Sequence, residues 1–222
     1  MRRWLLWGAA VALALGLLVV GSLWGAYRAS QHVPDFYRQA MLVEPAEQAD
    51  QSKHMVRQVT ALASDLQKEG PWKALFTQDQ INGWLAVDLV KNHAGLLPPA
   101  ISDPRVNLQP GTIFIACRYR HGRWQGVLSL SAEVYLAGPN TVAVRILKAR
   151  AGSLPLPLDN LLRQLSEATQ RMDYHIQWRQ VDGDPVALVA LQPPGKQQEP
   201  VQIQSLQVRE GAIYVAGSTK AR

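Results

Sequence analysis

The sequence predicts an α+β fold: a single N-terminal transmembrane helix followed by a curved antiparallel sheet packed on amphipathic helices. Three observations lead there: an uncharged apolar run near the N-terminus, a helical period of apolar residues as far as Asn92, and a change to a period of two from Arg105 onward. A chain of 222 residues can bury a core of its own without disulfide or metal staples. With 47% apolar and 18% charged residues, 16 glycines and 14 prolines, it is no coiled coil, collagen-like repeat or acidic disordered tail. The formal charge of +6 is moderate. The lone cysteine, Cys117, neither demands nor forbids an oxidising compartment.

From Leu5 to Ala26 the chain carries no charge, and at about 1.5 Å per residue such a helix reaches roughly 33 Å, enough to cross a bilayer. Trp4, Trp7, Trp24 and Tyr27 stand where amphipathic rings meet the two headgroup levels. The run is longer than the apolar stretch of a cleavable signal, and Trp24, Tyr27 and Arg28 spoil the small-x-small cleavage positions. The expectation is an uncleaved anchor spanning residues 5–26, with a removed signal as the main alternative and a buried soluble helix as the third. Arg2 and Arg3 hold the N-terminus in the cytoplasm, so the remainder lies outside the membrane, where ATP, nicotinamide cofactors and nucleic acid are not normal partners. The chain divides into 1–27, a cytoplasmic stub and anchor; 28–217, an extracytoplasmic α+β domain; and 218–222, a flexible tail.

After the anchor, Pro34 opens a segment in which Met55, Val59, Leu62 and Leu66 recur at helical spacing, and Gly70 and Pro71 stop it. Thr77 with Gln80 forms a capping-box signal, and Ile81, Trp84, Leu85 and Leu89 carry a second helix to about Asn92. Three prolines between Leu96 and Pro104 end the helical pattern. Ile113, Ile115, Cys117 and Tyr119 then alternate with Thr112, Phe114, Ala116 and Arg118, Leu128 to Leu136 alternate with Ser129, Ser131, Glu133 and Tyr135, and Val142, Val144 and Ile146 continue in a third run, predicting strands joined by turns at His121-Gly122 and Gly138-Pro139-Asn140. Leu158, Leu161, Leu162, Leu165, Ala168 and Met172 predict a third helix, and strand patterns return at 174–180, 185–191, 201–209 and 212–216. Arg105 to Ala116 echoes Ser205 to Ala216 at a separation of one hundred residues, either as two hairpins of the same local chemistry or as a duplicated half.

Familiar catalytic motifs are absent from the sequence: no G-x-S-x-G elbow, phosphate loop, S-x-x-K, H-E-x-x-H or C-x-x-C. His32, His54, His93, His121 and His175 do not pair at metal-ligand spacing, and Glu44 with Glu47 or Asp79 with Asp88 read as solvated helix faces. No catalytic residue, metal or cofactor is expected, and Cys117 reads as a small hydrophobe. The basic and aromatic tip from Arg118 to Trp124 offers Arg118, Arg120, Arg123 and Trp124 to anionic headgroups, or else is a solvated hairpin end. Between Ala149 and Leu162, Gly152, Pro155 and Pro157 force an extended crossing. Its lip would combine Gly152, Leu154, Pro155, Pro157, Leu158, Leu161 and Leu162 with Trp84 as an apolar groove, or pack Leu154 and Leu156 as a stiff connector.

The N-terminal anchor, the FTQDQINGWL helix start at Phe76 to Leu85 and the AGSLPLPLDNLL crossing together resemble the YpmS-like and LmeA-like bacterial envelope proteins, over roughly Phe76 to Leu165. That resemblance matches Asn82, Gly152 and Pro157 as motif positions, and the basic tip departs from the pattern. It implies a fold similar to the tubular lipid-binding proteins and an association with phospholipid. The expected function is therefore non-enzymatic: a membrane-anchored module of the bacterial cell envelope that holds a lipid or other hydrophobic ligand. The alternative is an envelope scaffold or assembly protein that docks a protein partner. Its partners would be the bilayer through residues 5–26, a phospholipid or other apolar ligand and an envelope protein, with no nucleic acid.

Overall fold

The computed structural model describes residues 18, 20–122, 124–157, 176–190 and 201–220. Residues 20–30 are helical (α1). Next come α2 (Asp35–Met41), α3 (Pro45–Leu66), β1 (Gly70–Thr77), α4 (Gln78–Ala86) and α5 (Asp88–Asn92). The meander β2 (Ile101–Gln109), β3 (Thr112–His121), β4 (Trp124–Gly138) and β5 (Thr141–Ala151) follows. β6 (Leu154–Pro155), β7 (Ile176–Val181), β8 (Asp184–Ala190), β9 (Val201–Arg209) and β10 (Ala212–Thr219) complete the described strands. All strand pairs are antiparallel, in a three-stranded sheet β1-β10-β9 and a seven-stranded sheet β2-β3-β4-β5-β8-β7 with β6 beside β5. The α+β class and the antiparallel sheet expected from the change of period are both present.

Local chemistry explains most boundaries. The segment expected as one helix after Pro34 is two, because Pro45 starts α3 and holds Glu44 extended at ψ 139°. Thr77 and Gln80 make the expected capping box, with Gln80 N–H donating to Thr77 Oγ1 at 3.3 Å and Thr77 N–H to Gln80 Oε1 at 3.0 Å. The prolines before Arg105 do not keep β2 from starting at Ile101, since a bulge between Ser102 and Arg105 absorbs Asp103 at φ 52° and Pro104. β1 was not foreseen after the helix stop at Gly70, although Trp72 and Ala74 are buried between exposed Lys73 and Leu75. The helix expected from Leu158 to Met172 lies outside the described residues, as do positions 5–17 and 19 of the expected span. Among the described residues, no helix is long and apolar enough to cross a membrane.

The echo between Arg105–Ala116 and Ser205–Ala216 becomes a structural repeat. Val106 pairs Ile115 and Leu108 pairs Ile113, just as Leu206 pairs Val215 and Val208 pairs Ile213, and both hairpins shift register just beyond Arg105/Ala116 and Ser205/Ala216. The turn glycines dock reciprocally: Gly111 N–H donates to Val208 O at 2.9 Å and Gly211 N–H to Leu108 O at 3.0 Å. Contacts that exchange partners in this way describe an approximate two-fold axis, which local hairpin chemistry alone does not require. The repeat is a hairpin rather than a half of the chain, because its third strand, β1 in one case and β4 in the other, comes from opposite sides in sequence.

The two facing edge strands are closed by carboxamides. Asn82 of α4 donates from Nδ2 to Val106 O at 2.9 Å and accepts Val106 N–H on Oδ1 at 2.8 Å, while Gln78 one turn earlier accepts Leu108 N–H at 2.8 Å. On β9, Asn140 of the β4–β5 turn donates to Val201 O at 2.8 Å and accepts Ile203 N–H at 2.7 Å. These amides complete backbone hydrogen bonding where no further strand pairs among the described residues. Gly83 beside Asn82 lets α4 lie against α3, because a Cβ there would stand 2.7 Å from Gln48 O and 2.8 Å from the Ser52 nitrogen. Replacing Asn82 with Ala leaves two backbone groups of β2 without partners and should cost about 1–3 kcal/mol in chemical denaturation. Asn82→Asp, which keeps the acceptor and loses the donor, should fall between; a wild-type midpoint for Asn82→Ala would remove the edge-closing role.

Candidate functional site

Strand register places one row of side chains across the large sheet: Asn107, Phe114, Ser131 and Lys148, with Arg105, Ala116, Ser129 and Arg150 beside it. α2 covers part of this face. Tyr37 is 2% exposed against Ala116 and Val127, with Val33, Phe36 and Met41 packed around it. Its hydroxyl donates to Asp103 O at 2.9 Å, so the bulge of β2 and the covering helix hold each other. Burial, aided by the nearby Asp103 carboxylate, pushes the Tyr37 phenol up to about 12. Arg118 reaches Asp103 at 3.5 Å on the rim.

Two cavities open on this face, and Phe36, tilted against Phe114 with centroids 6.3 Å apart, lines both. The first, about 200 Å³, lies between the C-terminal half of α2, α3, α4 and β2; its walls include Gln39, Gln51, Asn82 and Arg105. The second, about 260 Å³, lies beneath the segment that leads into α2, where His32, Pro34, Phe36 and Phe114 meet Lys148 and Arg150. Lys148 and Arg150 are exposed, and among the described residues neither has a carboxylate within ion-pair distance. The second cavity therefore joins two aromatic rings to positive charge that no carboxylate of the described residues neutralises.

The end of α1 is fastened beside this second cavity. Ser153 N–H donates to Ala29 O at 2.8 Å, Gln31 Nε2 to Gln125 O at 3.2 Å and Trp124 Nε1 to Ser30 Oγ at 3.4 Å. Gly152, at φ 60°, meets the Ala29 and Ser30 carbonyls so closely that a Cβ has no room. Above this junction Leu18, Val20, Leu23, Trp24 and Tyr27 are between 61% and 67% exposed.

The residues singled out in the sequence separate accordingly. Of the groove candidates, Gly152 lines the second cavity, while Leu154 is half-buried and Pro155 and Pro157 are exposed. Trp84 lies on α4 with its ring 5.8 Å from His93 and lines neither cavity. Leu158, Leu161 and Leu162 lie outside the described residues. Of the headgroup candidates, Arg118 pairs with Asp103, Arg120 is exposed, and Trp124 packs against Ser30 and within 5.8 Å of the Tyr119 ring; Arg123 lies outside the described residues. Sequence reasoning missed Lys148 and Arg150. Their alternation with Ala149 and Ala151 was the available signal, but only the β4–β5 register sets them opposite Ser131 and Ser129. Cys117 faces away from this row, and burial pushes its thiol up to about 11, consistent with a packed rather than reactive sulfur.

Among the described residues no group of three or more histidine, cysteine or acidic side chains could hold a metal ion. No protein-family model, curated protein or solved structure matches this chain.

The Tyr37 environment carries a pH signature. Its folded pKa lies above the unfolded value near 10, so the unfolded chain gives up this proton first and stability falls as pH rises from about 10 toward 12. The slope from this residue is at most about 1.4 kcal/mol per pH unit. Denaturation midpoints measured across that window should decline less steeply in Tyr37→Phe than in wild type; parallel declines would show that Tyr37 does not titrate this way.

Proposed function

We propose that this protein is a membrane-anchored, extracytoplasmic module that binds an anionic amphiphile, a phospholipid being the leading class, in the cavity between Phe36, Phe114, Lys148 and Arg150. The observation that carries the reading is the pairing of aromatic walls with two cations that have no ion-pair partner among the described residues, in a cleft fastened to the end of α1. Guanidinium and ammonium groups suit a phosphate-bearing headgroup, and the rings suit the first methylenes of an acyl chain. At about 260 Å³ the cleft accommodates a headgroup and leaves the tails outside.

Three further features support the reading. The apolar residues of α1 form a surface that water does not favour, continuous in sequence with the uncharged run from Leu5. Because α1 ends in hydrogen bonds to β4 and to the turn at Ser153, a bilayer around α1 would present its headgroups at the level of Lys148 and Arg150. The resemblance to envelope proteins associated with phospholipid points the same way.

The experiment is native mass spectrometry of the full-length protein released from nanodiscs that contain phosphatidylglycerol among zwitterionic lipids. Wild type should retain phosphatidylglycerol. Lys148→Glu with Arg150→Glu, both exposed and so tolerable to the fold, should reduce retention about tenfold or more, the equivalent of two charge-assisted contacts. Release of wild type without lipid, or equal retention by the variant, would overturn the assignment. A dominant protein adduct in cellular crosslinking with no lipid retained would instead favour the scaffold reading.

A further inference from the structure

The cavity beneath the C-terminal half of α2 has a different chemistry from the cleft just described, and its assignment does not rest on that one. Its distinguishing group is Arg105, 4% exposed, whose guanidinium makes one hydrogen bond among the described residues, from Nη1 to the carbonyl of its neighbour Pro104 at 2.7 Å. No carboxylate among the described residues lies within ion-pair distance of it. Asp103 is near enough to be felt electrostatically but lies within reach of Arg118, at 3.5 Å. A guanidinium has five N–H donors, and those of Arg105 without a partner among the described residues keep only slight solvent contact at 4% exposure, so the charge is poorly hydrated at a cost. Burial lowers the Arg105 pKa, with Tyr37 and Asp103 opposing the shift.

The remaining walls define what could relieve that cost. Glu47 and Asp79 also line the cavity and are exposed, which places negative charge at the mouth and positive charge on the floor. Gln39 and Gln51 present carboxamides without a hydrogen-bond partner among the described residues, and Phe36 and Val43 supply an apolar wall. The volume of about 200 Å³ equals about seven waters at ~30 Å³ each, room for a molecule of that many non-hydrogen atoms or slightly more.

We propose that this cavity is a binding site for a small zwitterion of the α-amino acid class, its carboxylate on Arg105 and its ammonium group at the mouth by Glu47 and Asp79. A dianion fits poorly, because the two rim carboxylates repel it. A simple cation would leave the guanidinium as it stands. A zwitterion answers both ends, and carboxylate with guanidinium is the stronger of the two contacts because it is made away from water.

Isothermal titration of the full-length protein in detergent micelles against each proteinogenic L-amino acid, followed by the deaminated and decarboxylated analogues of the tightest binder, tests this. At least one amino acid should bind, and each analogue should bind about tenfold more weakly or worse. Arg105→Gln should abolish binding. Because that buried change can also unfold the chain, Glu47→Gln with Asp79→Asn at the exposed mouth supplies the second arm: unchanged thermal stability with affinity reduced about two- to fivefold. Absence of binding by every amino acid overturns the proposal. So does a deaminated analogue that binds as well as its parent, or a mouth variant with wild-type affinity.

Discussion

The architecture depends on how the outer edges of β2 and β9 satisfy their backbone hydrogen bonds. A strand edge presents N–H and C=O groups that cost free energy when buried alone and invite other chains when exposed. Here the closure is shared. Each hairpin lends the other one turn amide, through Gly111 and Gly211, and side-chain amides of Asn82, Gln78 and Asn140 take up neighbouring positions. This joins the two sheets without fusing them into one ladder and leaves Leu108, at the centre of the exchange, fully buried. α4 is held in place by the same bonds, and Gly83 then lets α3 settle against it. Fold and helix layer are therefore consequences of one pairing requirement.

The same requirement orders the functional face. With β2 fixed by α4 and its bulge held by the Tyr37 hydroxyl, α2 has one place to lie, and Phe36 beneath it separates two cavities of different character. One combines rings with exposed cations beside the end of α1; the other combines carboxamides with a buried cation. Burial decides the difference. Lys148 and Arg150 remain hydrated and suit a ligand that arrives with its own apolar mass, whereas Arg105 is already desolvated and gains most from a compact counter-ion. A single helix of seven residues thus sets two kinds of chemistry on one sheet face.

The junction at Gly152 links this face to the N-terminal segment. A flexible linker would let the domain tumble relative to α1, but the carbonyls of Ala29 and Ser30 sit on the Gly152 turn with no room for a side chain between them. Further bonds from Ser153, Gln31 and Trp124 fasten the same few residues. Whatever surrounds α1 is thereby held at a fixed orientation to the cleft. Gly152 and Trp124 were singled out in the sequence for contact with ligand or headgroup, and both have in common a packing role against α1.

Much was legible in residue order alone, because it is written in neighbours along the chain. The period of two from Ile113 to Ile146, the turns at His121-Gly122 and Gly138-Pro139-Asn140, and the Thr77–Gln80 cap depend on local backbone preference, and all are present. The paired runs at 105–116 and 205–216 were visible too, although nothing local says that two hairpins will exchange turn amides across an axis. Side-chain position relative to other strands was not legible. Nothing in residue order singled out Lys148 and Arg150, which the register sets opposite Ser131 and Ser129, or Arg105, which the folded chain buries. Asn82 was noticed as a motif residue, but its task required knowing that β2 would be an edge. The sequence determined most of the described helices and strands, β1 and the break at Pro45 excepted, since these follow from short-range sterics and apolar period; tertiary structure alone decided which polar groups are buried, since burial is a property of distant segments brought together.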